Sequence, residues 1–166
     1  MKPFRIRELQ MTDVQALLAF EIHNREWFES QIDARDPAFY SWTGVTEHIE
    51  GYLADFAVGA WHPFVIEDAS GRIVGRANLK GIHSPRGCAE VGYRIDQRAC
   101  GQGLATQALK HLIEAARMRW GLTQLVAYVY ENNIGSRKVL ERCGFVPEAL
   151  SGSEAVEGGG RFALSI

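Results

Sequence analysis

The stretch from Leu104 to Trp120 constrains this chain more than any other. Leu104, Ala108, Leu109, Leu112, Ile113, Ala116 and Met118 recur at helical spacing, so one apolar stripe must be buried against a broad apolar partner. The spacing predicts a helix from Gly103 to Trp120-Gly121. Just upstream, Cys88 to Ile95 reads as a strand, and the run from Arg94 to Thr106 carries the chain from that strand directly into the helix. With 166 residues there is material for one substantial core, and residues 1–166 are expected to form a single domain.

The remaining elements follow from period and punctuation. Phe4 to Leu9 alternates as a strand does, and Thr12-Asp13 offers an N-cap for a helix carrying Val14, Leu17, Leu18 and Ile22. A mixed segment from His23 to Tyr40 holds Trp27, Phe28, Phe39 and Tyr40, and a second amphipathic run passes through Val45, Ile49, Tyr52, Leu53 and Phe56. These read as a helical flap beside a site, where Trp27, Phe28, Tyr40 and Trp42 line an acceptor pocket or belong to the core. Pro63–Asp68, Ile73–Lys80 and Cys88–Ile95, parted by Ala69-Ser70-Gly71 and by Ser84-Pro85-Arg86-Gly87, predict an antiparallel meander. Gln124 to Tyr130 is a further strand, Asn133 to Arg142 a short helix ended by Gly144, and Phe145-Val146 and Phe162-Ala163-Leu164 closing strands around a loop from Ser151 to Gly160. The order βααβββαβαββ implies an α/β fold with a mixed sheet, not a doubly wound parallel one.

Lysine and arginine number 18 against 20 aspartate and glutamate, too even a balance to hold the chain on nucleic acid or an anionic membrane. Cys88, Cys100 and Cys143 lie far apart without a C-x-x-C pair, and the five histidines show no ligand spacing. Reduced thiols in a cytoplasmic protein and no metal are therefore expected. Charge at Lys2, Arg5 and Arg7 stands where a signal peptide needs an apolar run, and no apolar stretch reaches membrane-spanning length.

The strand-to-helix passage is an anion site by construction. The first turn of a helix leaves N–H groups unpaired and its dipole favours negative charge, so a pyrophosphate finds donors there. Gly101 and Gly103 keep side chains from holding phosphate oxygens off those amides, and permit a positive φ. A dinucleotide fold would place such glycines after its first strand with an acid about 20 residues on. Here they follow the fourth strand, and Gly121-Leu122-Thr123-Gln124 has no acid.

The run resembles the Q/R-x-x-G-x-G/A acetyl-CoA motif of the GNAT acetyltransferases. Two registers fit, Arg98–Gly103 and Cys100–Ala105; the second is preferred because in the family the helix begins at the motif's end. It puts Cys100 where the family has Arg or Gln, which removes a side chain worth about 1.5–3 kcal/mol where it makes a charged hydrogen bond. Asn133-Ile134-Gly135-Ser136-Arg137-Lys138-Val139-Leu140-Glu141-Arg142-Cys143-Gly144-Phe145 resembles the N-x-x-S-x-x-V-L-x-x-x-G-F stretch of the RimJ/RimL ribosomal-protein branch. Ala89 to Ile95 and Asn24 to Phe28 are similar to its fourth strand and N-terminal helix segment.

The resemblance implies a GNAT fold, a mostly antiparallel sheet splayed between strands 4 and 5 and flanked by helices. It implies acetyl-CoA as co-substrate, held by Ile95, Cys100, Gly101, Gly103, Leu104, Ala105, Thr106, Asn133 and Ser136. The acceptor amine attacks the thioester directly, with a backbone N–H near Gly92 at the oxyanion. An α-amine of pKa about 7.7–8.0 needs less help than a lysine near 10.4, so one base suffices. Glu90 is the candidate, the plainer alternative being a solvated or arginine-paired strand residue. Leu140 stands where many members carry a tyrosine, so Ser136 is assigned to the departing thiolate, with Tyr93 and Tyr130 in reserve. The branch points to a protein N-terminal amine; the alternatives are a small amine (polyamine, amino acid or antibiotic) and a CoA-binding sensor without turnover. An acidic pocket around Glu21, Glu26, Glu29 and Asp33 would mark a polycationic acceptor. Monomer and homodimer remain open.

Overall fold

The computed structural model describes residues 4–130, 133–148 and 159–166. Strand β1 (Phe4–Glu8) leads through a 3-10 turn, Met11–Asp13, into α1 (Val14–His23), α2 (Arg25–Glu29) and α3 (Trp42–Ala57). The meander β2 (His62–Asp68), β3 (Ile73–His83) and β4 (Cys88–Ile95) precedes α4 (Leu104–Met118), β5 (Gln124–Tyr130), α5 (Ile134–Arg142), β6 (Val146–Glu148) and β7 (Gly159–Ser165). Against the expected order only the five-residue α2 is new. The Ser151–Gly160 loop falls outside the described residues, except that Gly159 and Gly160 open β7.

The sheet runs β1-β2-β3-β4-β5-β7-β6. Its neighbours pair antiparallel except β4 and β5, which are parallel and joined only at Cys88–Gln124, Ala89–Leu125 and Glu90–Val126. Beyond Glu90 the two strands part, leaving the expected splay. Alternation in β2 divides the core: Phe64 and Ile66 pack with α4 on one face, and Val65 packs with α1 and α3 on the other. On α4, Leu104, Ala108, Leu109, Leu112, Ile113 and Ala116 are all buried, and each leucine or isoleucine so removed from water stabilises the fold by about 1.5–3 kcal/mol. Met118, expected on that stripe, is 81% exposed because it lies in the last turn, past the sheet.

Asp13 is not a side-chain cap for α1. Its carboxylate turns back to accept from the Gln10 N–H and from both terminal nitrogens of Arg7. The buried stripe of α1 is Val14, Leu17, Phe20 and Glu21, continued by Asn24, whereas Ile22 is 52% exposed. α5 ends in a Schellman motif, with Phe145 N–H on the Leu140 carbonyl and Gly144 N–H on that of Glu141, both at 3.0 Å. No described helix is long and apolar enough to cross a membrane.

Candidate active site

Between β4 and α4 the backbone makes two left-handed turns, Gly101 at φ 80° and Gly103 at φ 78°, a conformation that costs a residue with a Cβ about 1–2 kcal/mol. A Cβ placed on either glycine meets no atom within 4 Å, so the space above both is open. α3 and α5 are closed by their own side chains: Ser41 Oγ accepts from Gly44 N–H and Asn133 Oδ1 from Ser136 N–H. α4 begins at Gly103 with no side-chain cap. Gln107 N–H bonds back to the Gly103 carbonyl at 3.0 Å, so Leu104, Ala105 and Thr106 precede the first helical bond and their amides point out of the helix end.

The passage is braced from behind. Asn24, 1% exposed, accepts from Gln97 N–H at 3.0 Å and donates to Asp96 at 3.1 Å. Asp96 in turn accepts from Arg98 N–H at 2.8 Å. Burial alone raises the Asp96 pKa, but the bonds from Asn24 and the Arg98 amide hold it below the ordinary carboxylate range.

A cavity of about 740 Å³ opens over this helix end. Ile95, Cys100, Gly101, Gly103, Leu104, Ala105 and Thr106 line it from the β4–α4 passage, Asn133 and Ser136 from α5, and Trp27 and Phe28 from α2. Every residue that the motif reading assigns to the cofactor borders this one space. Cys100 is exposed, yet partial desolvation of its thiol, with the Asp96 charge nearby, raises its pKa. Cys143 is half-buried.

A second cavity of about 410 Å³, bordered by Glu90, Gly92, Arg76, Asn78 and Lys80, shares Tyr93, Arg94, Asn133 and Ser136 with the first. Tyr93 and Ser136, whose hydroxyl oxygens lie 2.9 Å apart, border both spaces. Burial raises the Tyr93 pKa, so the phenol keeps its proton. Glu90 lies 3.9 Å from Lys80 Nζ, its side chain 37% exposed; its partner is a lysine, not an arginine. Lys80 folds over Gly92, where a Cβ would stand 2.8 Å from Nζ. Leu140 is buried in the core. Tyr130 side-chain placement lies outside the described residues.

The acidic pocket takes another form. Glu21 is 1% exposed and enclosed by Arg76 Nη1 at 2.9 Å, Arg94 Nη1 at 3.0 Å and Arg35 Nε at 3.7 Å. Burial raises its pKa, and the three guanidiniums bring it below the usual range. Tyr40 lies under Arg25 and Trp42 is 58% exposed; neither lines either cavity. Arg35, Arg76 and Arg94 escaped the sequence reading. Only Arg76 has a local signal, the alternation of Arg76, Asn78 and Lys80 with Ala77 and Leu79 in β3, which puts three polar side chains on one face of an interior strand.

Residues 4–146 match the family model of the acetyltransferase (GNAT) domain. The "Probable N-acetyltransferase YjcK" of Bacillus subtilis (strain 168) is 29% identical over 152 residues, which is 90% of this chain and 84% of that protein. Among solved structures, the ribosomal-protein-S5-alanine acetyltransferase of Vibrio fischeri superposes with a TM-score of 0.91 at 20% identity, over 99% of this chain and 94% of that one. RimJ of Mycobacterium smegmatis, in complex with CoA-disulfide, gives 0.85 at 25% identity over 98% and 81%.

Proposed function

Because this chain belongs to the GNAT acetyltransferase family and is an acetyl-CoA-dependent N-acetyltransferase, we propose that it acetylates the N-terminal α-amine of a polypeptide by direct attack of the amine on the thioester. The amides of Leu104, Ala105 and Thr106 hold the pyrophosphate above Gly101 and Gly103, and the splay edge of β4 at Ile95 takes the pantetheine as an added strand. Asn133 and Ser136 line the same passage toward the second cavity, where the acceptor enters.

Glu90 removes the amine proton, directly or through water. Ser136, backed by the Tyr93 hydroxyl, stabilises the departing thiolate. The observation that carries this reading is the hydrogen-bonded Tyr93–Ser136 pair, both of whose residues border both cavities, the donor on one side and the acceptor on the other. A polyamine acceptor is disfavoured by the same geometry, since basic side chains flank the second cavity and Glu21 is already enclosed by arginines.

Gly103→Val tests the cofactor half. Titration calorimetry is expected to show CoA affinity reduced at least ~100-fold, while circular dichroism keeps the native spectrum. An unchanged affinity removes the assignment of the pyrophosphate to this helix end.

A further inference from the structure

We infer that the acceptor cavity selects polypeptides whose second to fourth residue is aspartate or glutamate, through a guanidinium cluster that Glu21 alone does not neutralise. The inference rests on the N-terminal acceptor reading above and specifies its substrate class.

Arg35, Arg76 and Arg94 share Glu21 as their carboxylate, three guanidiniums around one buried acid. Each guanidinium lies over an aromatic ring: Arg35 over Phe39 at 4.4 Å, Arg76 over Tyr52 at 5.4 Å and Arg94 over Phe28 at 4.8 Å. Stacking fixes the planes and leaves the donor edges to choose partners. All three arginines border the second cavity. Arg35 Nε is buried without a hydrogen-bond acceptor among the described residues, because Glu21 Oε1 at 3.7 Å is too distant to accept. Buried donors with excess charge are costly unless an anion joins them.

Neighbouring groups respond to the same excess. His48 accepts a hydrogen bond from Arg76 at 2.8 Å, and burial with the three arginines pushes its pKa down to about 2. It therefore adds no charge of its own. Arg94 is lowered to about 10, by burial first; Glu21 opposes that shift, and Arg35 and Arg76 add to it. Of the acids that border the cavity, Glu90 is paired with Lys80, and Asp33 is an exposed residue.

Register sets the position of the anion. Arg76 faces Arg94 across β3 and β4, Asn78 faces Gly92, and Lys80 faces Glu90. At about 3.4 Å per strand residue, Arg76 and Arg94 lie ~7 Å along the strands from the level of Gly92 and ~14 Å from that of Glu90. An extended peptide covers about 3.3–3.6 Å per residue, so an amine near Gly92 and Glu90 brings the side chain of residue two to four to the cluster. The α-carboxylate of a free amino acid is too close to its own amine to reach.

The experiment compares kcat/KM by CoA thiol release for octapeptides that differ only in Glu, Gln or Lys at position three, with free glutamate as a further acceptor. Glu is expected to exceed Gln by about tenfold, and Lys by more. Arg35→Gln is expected to bring the Glu/Gln ratio within about threefold, and Arg35→Lys to retain most of the preference. If Arg35→Gln does not fold, the native panel decides alone. Equal kcat/KM for the Glu and Gln peptides overturns this inference and leaves N-terminal acetylation standing. No peptide turnover despite CoA binding removes both. Free glutamate surpassing every peptide moves the anion to a small acceptor and overturns the selection of peptides.

Discussion

At the scale of single residues, the division of labour between Glu90 and the Tyr93–Ser136 pair is open to a pH test. An α-amine of pKa about 7.7–8.0 is largely protonated at pH 6.5 and largely free at pH 9. Glu90 is therefore needed most at the lower value. Glu90→Gln is expected to reduce kcat/KM about 10²-fold at pH 6.5 and only a few-fold at pH 9. Tyr93→Phe acts differently, because burial keeps the phenol protonated throughout that range. It removes the hydroxyl at 2.9 Å from Ser136 and is expected to lower kcat by a similar factor at both pH values. A Glu90→Gln loss independent of pH would assign that residue to packing or charge instead of proton transfer.

At the scale of elements, the placement of the α4 end depends on a residue from the first helical hairpin. Asn24 joins the end of α1 to the β4–α4 passage through Asp96 and Gln97, across 72 and 73 positions of sequence. Asn24→Ala leaves a buried carboxylate and an amide short of a partner, a loss of about 1–3 kcal/mol. Its functional effect is expected as a several-fold rise in KM for acetyl-CoA with kcat little changed, as measured by steady-state kinetics below the melting transition. A fall in kcat at constant KM would mean that Asn24 acts on the acceptor side. The same example shows what the sequence discloses. The α4 stripe, the meander and the glycine passage are legible because spacing and turn chemistry within about fifteen residues determine them. The inward frame of α1 is not. Ile22 looks like the buried position and Glu21 like one acid of a pocket with Glu26, Glu29 and Asp33; only partners on β3, on β4 and at Arg35 make Glu21 an inward, arginine-enclosed residue. Asp13 escapes for a similar reason: Arg7, on β1, draws it away from the cap role that its position suggests.

At the scale of the whole molecule, the histidines, which show no ligand spacing, link folding to pH. His48, His62 and His111 all have pKa values lowered by burial, and His62 sits between Glu8 at 2.7 Å and the Trp120 N–H at 2.9 Å. In the unfolded chain each titrates near 6.5. The unfolded state therefore binds more protons below that value, so this stability is complete above about pH 7 and is lost as pH falls. Each such proton contributes a slope of about 1.4 kcal/mol per pH unit. His48, lowered to about 2, continues to lose stability across the whole acid range. Glu21 and Asp96 are lowered carboxylates; their contribution holds above the unfolded carboxylate range of about 4 and fails only below it. The window from pH 6.5 to 5 thus isolates the histidines. His48→Gln keeps an acceptor for Arg76 without a titrating ring, and urea unfolding is expected to show the slope in that window reduced by about one proton's worth. If the slope is the same as in the native chain, His48 is protonated in the fold, and the positive excess around Glu21 is smaller than the three arginines imply.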